Sequence, residues 1–100
     1  MQIQHRVARN AKNSQSNGEF FIEIKGKKAL LDYTLNGKKM DIFHTFTDPE
    51  LRGQGLAEQL TQAAFEYARK NGLKIIPTCD YVRDSFLKKH PELNSMVEHW

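Results

Sequence analysis

Apolar side chains recur at every second position up to Thr47, and from Gln54 the spacing changes to that of a helix. The join is Thr45-Phe46-Thr47-Asp48-Pro49-Glu50-Leu51-Arg52-Gly53-Gln54-Gly55-Leu56-Ala57. A chain that passes from period two to period 3.6 through a glycine-bearing turn has few options. It lays down sheet first, and an amphipathic helix then folds back over one face of it. The turn has its own chemistry. Backbone N–H groups at the start of a helix lack acceptors, and the positive end of the helix dipole lies beside them. Gly53 and Gly55 let a ligand approach without a Cβ in the way, and Arg52 adds a planar donor fork. Such a turn suits a phosphate. It serves equally as a plain strand-to-helix connection.

The strands before the join are legible one by one. Ile3, His5 and Val7 alternate as a short edge strand, and residues 10–18 are polar and end in glycine, as a loop does. Glu19–Lys25 alternates, with Phe20, Ile22 and Ile24 on one side. Lys25-Gly26-Lys27-Lys28 turns the chain. Ala29, Leu31, Tyr33 and Leu35 form one side of the next strand. Asn36-Gly37 signals a hairpin, since both residues accept positive φ. Met40, Ile42, His44 and Phe46 then share a side of the following strand. Sequential strands joined by short turns predict an antiparallel meander.

After the join, Leu56, Ala57, Leu60, Ala63, Ala64, Tyr67 and Ala68 form one face of a helix from Gln54 to Asn71, which Asn71-Gly72 ends. Leu73–Pro77 is a short strand, placed by a crossover parallel to the strand that ends at Thr47. Asp80 is a candidate N-cap for a helix reaching Lys89, and His90-Pro91 stops it. Pro91 opens a last helical segment with Leu93, Met96, Val97 and Trp100 on one stripe, suited to core or to an interface. The fold class is α+β: a mostly antiparallel sheet with one parallel crossover strand and helices packed on it. One hundred residues suit a single domain.

Composition narrows the partners. The chain is 39% hydrophobic and 27% charged, as globular proteins are, and no apolar run is long enough to span a bilayer. A lone cysteine, Cys79, excludes an internal disulfide and suits a cytoplasmic setting. The net charge of +3 is scattered, so it admits an anionic metabolite without selecting nucleic acid. No His/Cys pair has metal-ligand spacing, so no metal is expected.

Arg52-x-x-Gly55-x-Ala57 matches the Q/R-x-x-G-x-G/A motif of the GNAT superfamily of N-acetyltransferases, and it stands where that motif should, between meander and long helix. The segments Asp41–Thr45, Pro49–Ala57, Ile76–Val82 and His90–Glu92 resemble the short, single-domain members of that superfamily. The similarity covers roughly residues 19–93. It implies a minimal GNAT-like fold and a chain that takes acetyl-CoA and acetylates an unidentified amine, small molecule or protein. It implies that Arg52, Gly53, Gln54, Gly55, Leu56 and Ala57 wrap the coenzyme's pyrophosphate. It also implies that the strand ending at Thr47 splays from the strand 73–77, so that pantetheine bonds to backbone at Thr45, Phe46 and Thr47. The chain departs from the larger GNAT enzymes: it has no room for the two helices that help form their acceptor site, and the usual tyrosine acid has no clear counterpart.

The catalytic candidates are Cys79 and His44. Cys79 is either a small buried hydrophobe or, ahead of an Asp80-capped helix, a thiolate able to accept the acetyl group or an acid for the departing thiolate. His44 is either a core histidine, by its alternation with Ile42 and Phe46, or a base for the incoming ammonium. Phe86 suits core packing or the pantetheine arm, and Tyr81 is a surface-edge tyrosine or a hydroxyl near the thioester. Lys38-Lys39 and Lys88-Lys89 are solvated, or meet the 3′-phosphate of coenzyme A. His90, before Pro91 at a helix end, is read as a capping residue. The alternative to an enzyme is a module that binds acetyl-CoA with little catalysis. A monomer or weak homodimer is expected.

Overall fold

The structure is a computed structural model that describes residues 2–9 and 16–98. Five strands form one sheet in chain order: β1 (Gln4–Arg9), β2 (Ser16–Ile24), β3 (Lys27–Asn36), β4 (Lys39–Thr47) and β5 (Lys74–Pro77). The first four are antiparallel neighbours, and β5 runs parallel to β4. A 3-10 turn (Pro49–Leu51) and α1 (Leu56–Lys70) make the crossover. After β5 come a π-helical turn (Val82–Phe86), α2 (Leu87–Lys89) and a 3-10 segment (Pro91–Met96). This is the α+β arrangement the sequence predicts.

Two tight turns close the meander, by different means. Ile24 pairs with Lys27, so Lys25 and Gly26 are the turn, both at positive φ (52° and 79°). Asn36 pairs with Lys39, so the second turn is Gly37-Lys38. Only Gly37 is at positive φ there; Asn36 is the last rung of the strand, not a turn residue.

The core lies between the sheet and α1. Phe20, Ile22, Ala29, Leu31, Tyr33, Met40, Ile42 and Ile75 meet Leu56, Leu60, Ala64, Phe65 and Ala68, with Val82, Phe86 and Leu87 closing one end. The buried stripe of α1 is rotated from the expected one. Phe65 and Thr61 are buried while Ala57, Ala63 and Tyr67 are half-buried. Thr61 is tolerated there because its hydroxyl donates to the Ala57 carbonyl at 2.7 Å. At the β1 side, His5 stacks on Phe20 at 4.0 Å and bonds the buried Tyr33 hydroxyl. Leu93, Met96 and Val97 pack half-buried against the core, and Val97 bridges to Ile75. Trp100 lies outside the described residues.

The last helix corrects one expectation. Asp80 does not cap it: the Cys79 carbonyl accepts from the Arg83 N–H at 3.1 Å, Asp80 is already helical, and its carboxylate pairs with Arg83 at 2.7 Å.

Candidate functional site

The strand β4 decides where the candidate residues point. Tyr33 pairs with Ile42 but Asp32 pairs with His44, so Phe43 is an extra residue, a β-bulge. Before it, Met40 and Ile42 face α1. After it, the alternation is reset: Thr45 and Thr47 come opposite Leu31 and Ala29, on the α1 side. His44 and Phe46 fall on the other face, where no helix lies among the described residues. His44 is therefore exposed, and the core-histidine reading fails. Phe43 and Phe46 are 47% and 43% exposed.

The bulge coincides with the parting of β4 from β5. Their pairing ends at Ile42 with Pro77, and a last link runs from the Cys79 N–H to the Ile42 carbonyl at 2.8 Å. Beyond it β4 has no partner on that side among the described residues, which leaves backbone groups of Thr45 to Thr47 on an open edge.

At the end of β4, Asp48 accepts from the Glu50 N–H at 2.9 Å and starts the 3-10 turn. Gly53 and Gly55 both sit at positive φ, 86° and 71°, and a Cβ at either would meet nothing within 4 Å. Gly55 occupies the N-cap position of α1 without a side-chain cap, and its carbonyl receives the first helical bond, from Gln59. From Gly53 to Glu58 the N–H groups have no acceptor among the described residues. They open on a cavity of about 390 Å³ lined by Thr45, Thr47, Arg52, Gly53, Gly55 and Lys89, among others. Arg52 is held at its rim by donating Nε to the Thr47 carbonyl at 3.3 Å. The cavity thus collects unpaired donors, one guanidinium and one ammonium, which is the donor set an anion of several oxygens requires. Leu56 contributes backbone only, because its side chain is buried in the core; Gln54 is exposed beside the turn.

A second cavity, about 350 Å³, is lined by Phe43, His44, Thr45, Thr78, Cys79, Asp80 and Tyr81. Thr45 and Tyr81 belong to both cavities. The two sequence-nominated residues, Cys79 and His44, are therefore on one wall system, reached from the turn past Thr45 and Tyr81. Cys79 is half-buried, with Sγ 3.5 Å from the Thr45 hydroxyl. Burial pushes the Tyr81 hydroxyl above its ordinary range, with Glu58 and Cys79 adding to the shift, so the phenol stays a donor at neutral pH. The sequence left Tyr81 as either a surface-edge tyrosine or a hydroxyl near the thioester; its place between the two cavities comes from the parting of the strands.

Other candidates are not brought here. Phe86 is fully buried, 5.2 Å from Phe65 and 4.5 Å from His90 between ring centroids, and supports the site from within the core instead of lining it. Lys89 reaches the first cavity, whereas Lys38 and Lys39 stand at the β3–β4 turn and Lys39 pairs with Glu98 at 3.2 Å. His90 lies 3.4 Å from Glu58 and provides no side-chain cap. Among the described residues no helix is long and apolar enough to cross a membrane.

Known proteins share this chain's pattern. Protein NATD1 of Danio rerio is 36% identical over 76 residues, covering 73% of this chain and 68% of that protein. Protein NATD1 of Homo sapiens is 32% identical over 76 residues, 73% of this chain and 66% of that protein. N-acetyltransferase 8 of Homo sapiens is 35% identical over 54 residues, 54% of this chain and 24% of that much longer protein. The sequence model of the GCN5-related N-acetyl-transferases matches residues 19–96, a span that runs from β2 through the glycine turn and the parted strands to the last 3-10 segment. With the meander, the crossover helix and the donor-lined turn in their places, the chain belongs to the GCN5-related N-acetyltransferase family.

Proposed function

We propose that the chain binds acetyl-CoA and transfers its acetyl group to an amine, in a cytosolic setting that its lone cysteine suits. The observation that carries this reading is the pair of cavities meeting at Thr45 and Tyr81 where β4 parts from β5. One is rich in unpaired donors and the other holds three groups able to move a proton, His44, Cys79 and Tyr81. When bound, the coenzyme supplies a thioester. The N–H groups from Gly53 to Glu58 and the Arg52 guanidinium hold its pyrophosphate, and Lys89 meets a further phosphate at the rim. The open edge of β4 at Thr45–Thr47 bonds the pantetheine amides and leaves an N–H to polarise the thioester carbonyl. His44 takes a proton from the incoming ammonium, since only the free amine attacks. Tyr81, kept neutral, donates to the departing sulfur; Cys79 is the alternative donor, beside Thr45.

Calorimetric titration of acetyl-CoA into the wild type and Gly55→Trp tests the cofactor: heat from the first and none from the second is expected, and no heat from either refutes the reading. Thiol release on a panel of polyamines, peptides and amino acids tests transfer, with Cys79→Ala and Tyr81→Phe separating the two donors. A second reading, a coenzyme-binding module with little catalysis, is favoured by the exposed Phe43 and Phe46, which leave the acceptor side unenclosed. Binding without turnover across the panel selects it.

A further inference from the structure

The sheet face away from α1 is covered at one end and bare at the other, and the contrast shows what fits it. Phe21 lies on that face, between the core residues Phe20 and Ile22, and is buried although no helix covers it among the described residues. Cations cover it instead: the Arg6 guanidinium is 4.9 Å and the Lys28 ammonium 4.6 Å from its ring centroid. A long aliphatic stem with a charged head shields a ring from water and keeps its own charge solvated. The same rung continues to Leu30 on β3 and Phe46 on β4, since Phe21 pairs with Leu30 and Leu30 with Phe46. Neither Phe46 nor the bulge residue Phe43 has a cation or a ring over it among the described residues. Both are exposed, and Phe43 borders the cavity of His44 and Cys79.

The charge around these bare rings is negative. Asp32 occupies the next rung, opposite Glu19 and His44, and Asp41 precedes the bulge on β4. Neither carboxylate has an ion pair among the described residues, and Oδ1 of Asp41 is buried with no hydrogen-bond partner. The nearby lysines are committed: Lys28 to Glu19 at 3.0 Å and Lys39 to Glu98 at 3.2 Å. A chain of net charge +3 thus sets its unpaired carboxylates beside its exposed phenyl rings.

We propose that this bare end of the sheet face docks the acetyl acceptor, and that the acceptor is a basic segment of another polypeptide. This rests on the acetyl-transfer reading of the neighbouring cavity. Arginine or lysine side chains of the segment lie over Phe43 and Phe46 as Arg6 and Lys28 lie over Phe21, and their charge meets Asp32 and Asp41. A small amine binds by being enclosed in a pocket. Exposed rings on an open face need a partner that brings its own surface to cover them. A second copy of this chain would bring the same unpaired carboxylates to the contact, where like charges repel. An amine of the docked segment enters the cavity of His44, Cys79 and Tyr81. Its nitrogen bonds the acetyl carbon and the carbon–sulfur bond breaks. The ammonium gives up two protons: one reaches solvent by way of His44, and the other ends on the coenzyme sulfur.

The test maps a synthetic peptide, a lysine flanked by arginines and leucines, onto the isotope-labelled protein by NMR, with and without coenzyme A. Amide shifts are expected at Leu30, Asp32, Asp41, Phe43 and Phe46. Affinity should fall roughly five- to tenfold in Phe43→Ala, the loss of an exposed aromatic anchor, and roughly two- to fivefold in Asp32→Asn, the loss of one charge at the contact. Phe43 is exposed, so its variant keeps the fold and decides the matter if Asp32→Asn does not fold. The same peptide with glutamates in place of its arginines should not bind. Shifts confined to another surface, unchanged affinity in Phe43→Ala, or equal binding of the acidic peptide overturn the proposal. So does sedimentation that finds a dimer broken by Phe43→Ala, which gives the face to a second copy. In acetyl transfer, kcat/KM for the basic peptide should exceed that for spermidine or phenethylamine by roughly tenfold or more; equal or higher values for the small amines overturn it too. Absence of acetyl-CoA binding in calorimetry would instead sink the transfer reading, while the peptide map still decides whether the face docks a basic segment.

Discussion

Gly55→Ala separates what the glycine turn does for the fold from what it does for a ligand. Gly55 sits at φ 71° and ψ 22°, the left-handed region, at the N-cap of α1. An added Cβ meets no atom within 4 Å, so no steric overlap enters. The cost is the backbone conformation alone, about 1–2 kcal/mol for an L-residue. For a domain of this size each kcal/mol moves the melting point by about 4–8 °C, so a fall of roughly 4–16 °C is expected. Gly72→Ala is the matched control. It has φ 66°, equally open space, and a place at the far end of α1. Urea denaturation should give both variants the same loss. Calorimetry with acetyl-CoA should then distinguish them, because only the Gly55 methyl is added at the turn whose N–H groups are unpaired. Weakened binding in Gly55→Ala with unchanged binding in Gly72→Ala supports the site. Equal binding in the two variants would refute the anion-site argument, and unchanged stability of Gly55→Ala would refute the conformational one.

Other outcomes follow from single contacts. A Cβ on Gly18 would overlap the fully buried Tyr33 ring, so Gly18→Ala should destabilise by about 1–3 kcal/mol in denaturant titrations. Burial lowers the His5 ring below its ordinary 6.5, so its contribution is fully present above pH 6.5 and is lost as pH falls through the lowered folded value. Amide exchange in β1 should accelerate over that range, and His5→Phe, which keeps the stack on Phe20, should flatten the response. Lys89→Glu should weaken acetyl-CoA binding by roughly tenfold, the equivalent of about 1.4 kcal/mol, with the difference shrinking at high salt; equal affinity would remove Lys89 from the phosphate rim.

What the sequence by itself determined was everything local. Period-two alternation in Phe20-x-Ile22-x-Ile24 and Ala29-x-Leu31-x-Tyr33 names the core face of β2 and β3, because successive side chains in a strand must point to opposite sides. The 3.6-residue spacing from Leu56 to Ala68 names the crossover helix, and Gly53 and Gly55 mark a turn that needs positive φ. Family membership was legible in the same residues. What the tertiary structure decided depended on partners remote in sequence. The apolar alternation Met40, Ile42, His44, Phe46 runs on unbroken, so nothing in it discloses that Phe43 is an extra residue against β3. A bulge is a mismatch between two strands, and only their pairing reveals it. That one residue turns His44 out of the core, sets it opposite Asp32, and brings Thr45 to the side where Tyr81 and Cys79 meet. Phe86 likewise read as a residue on the inner face of a helix, and only packing against Phe65 and His90 shows that it supports the site without touching it. Side-chain periodicity is a property of one strand or helix; which groups share a cavity is a property of the register between them.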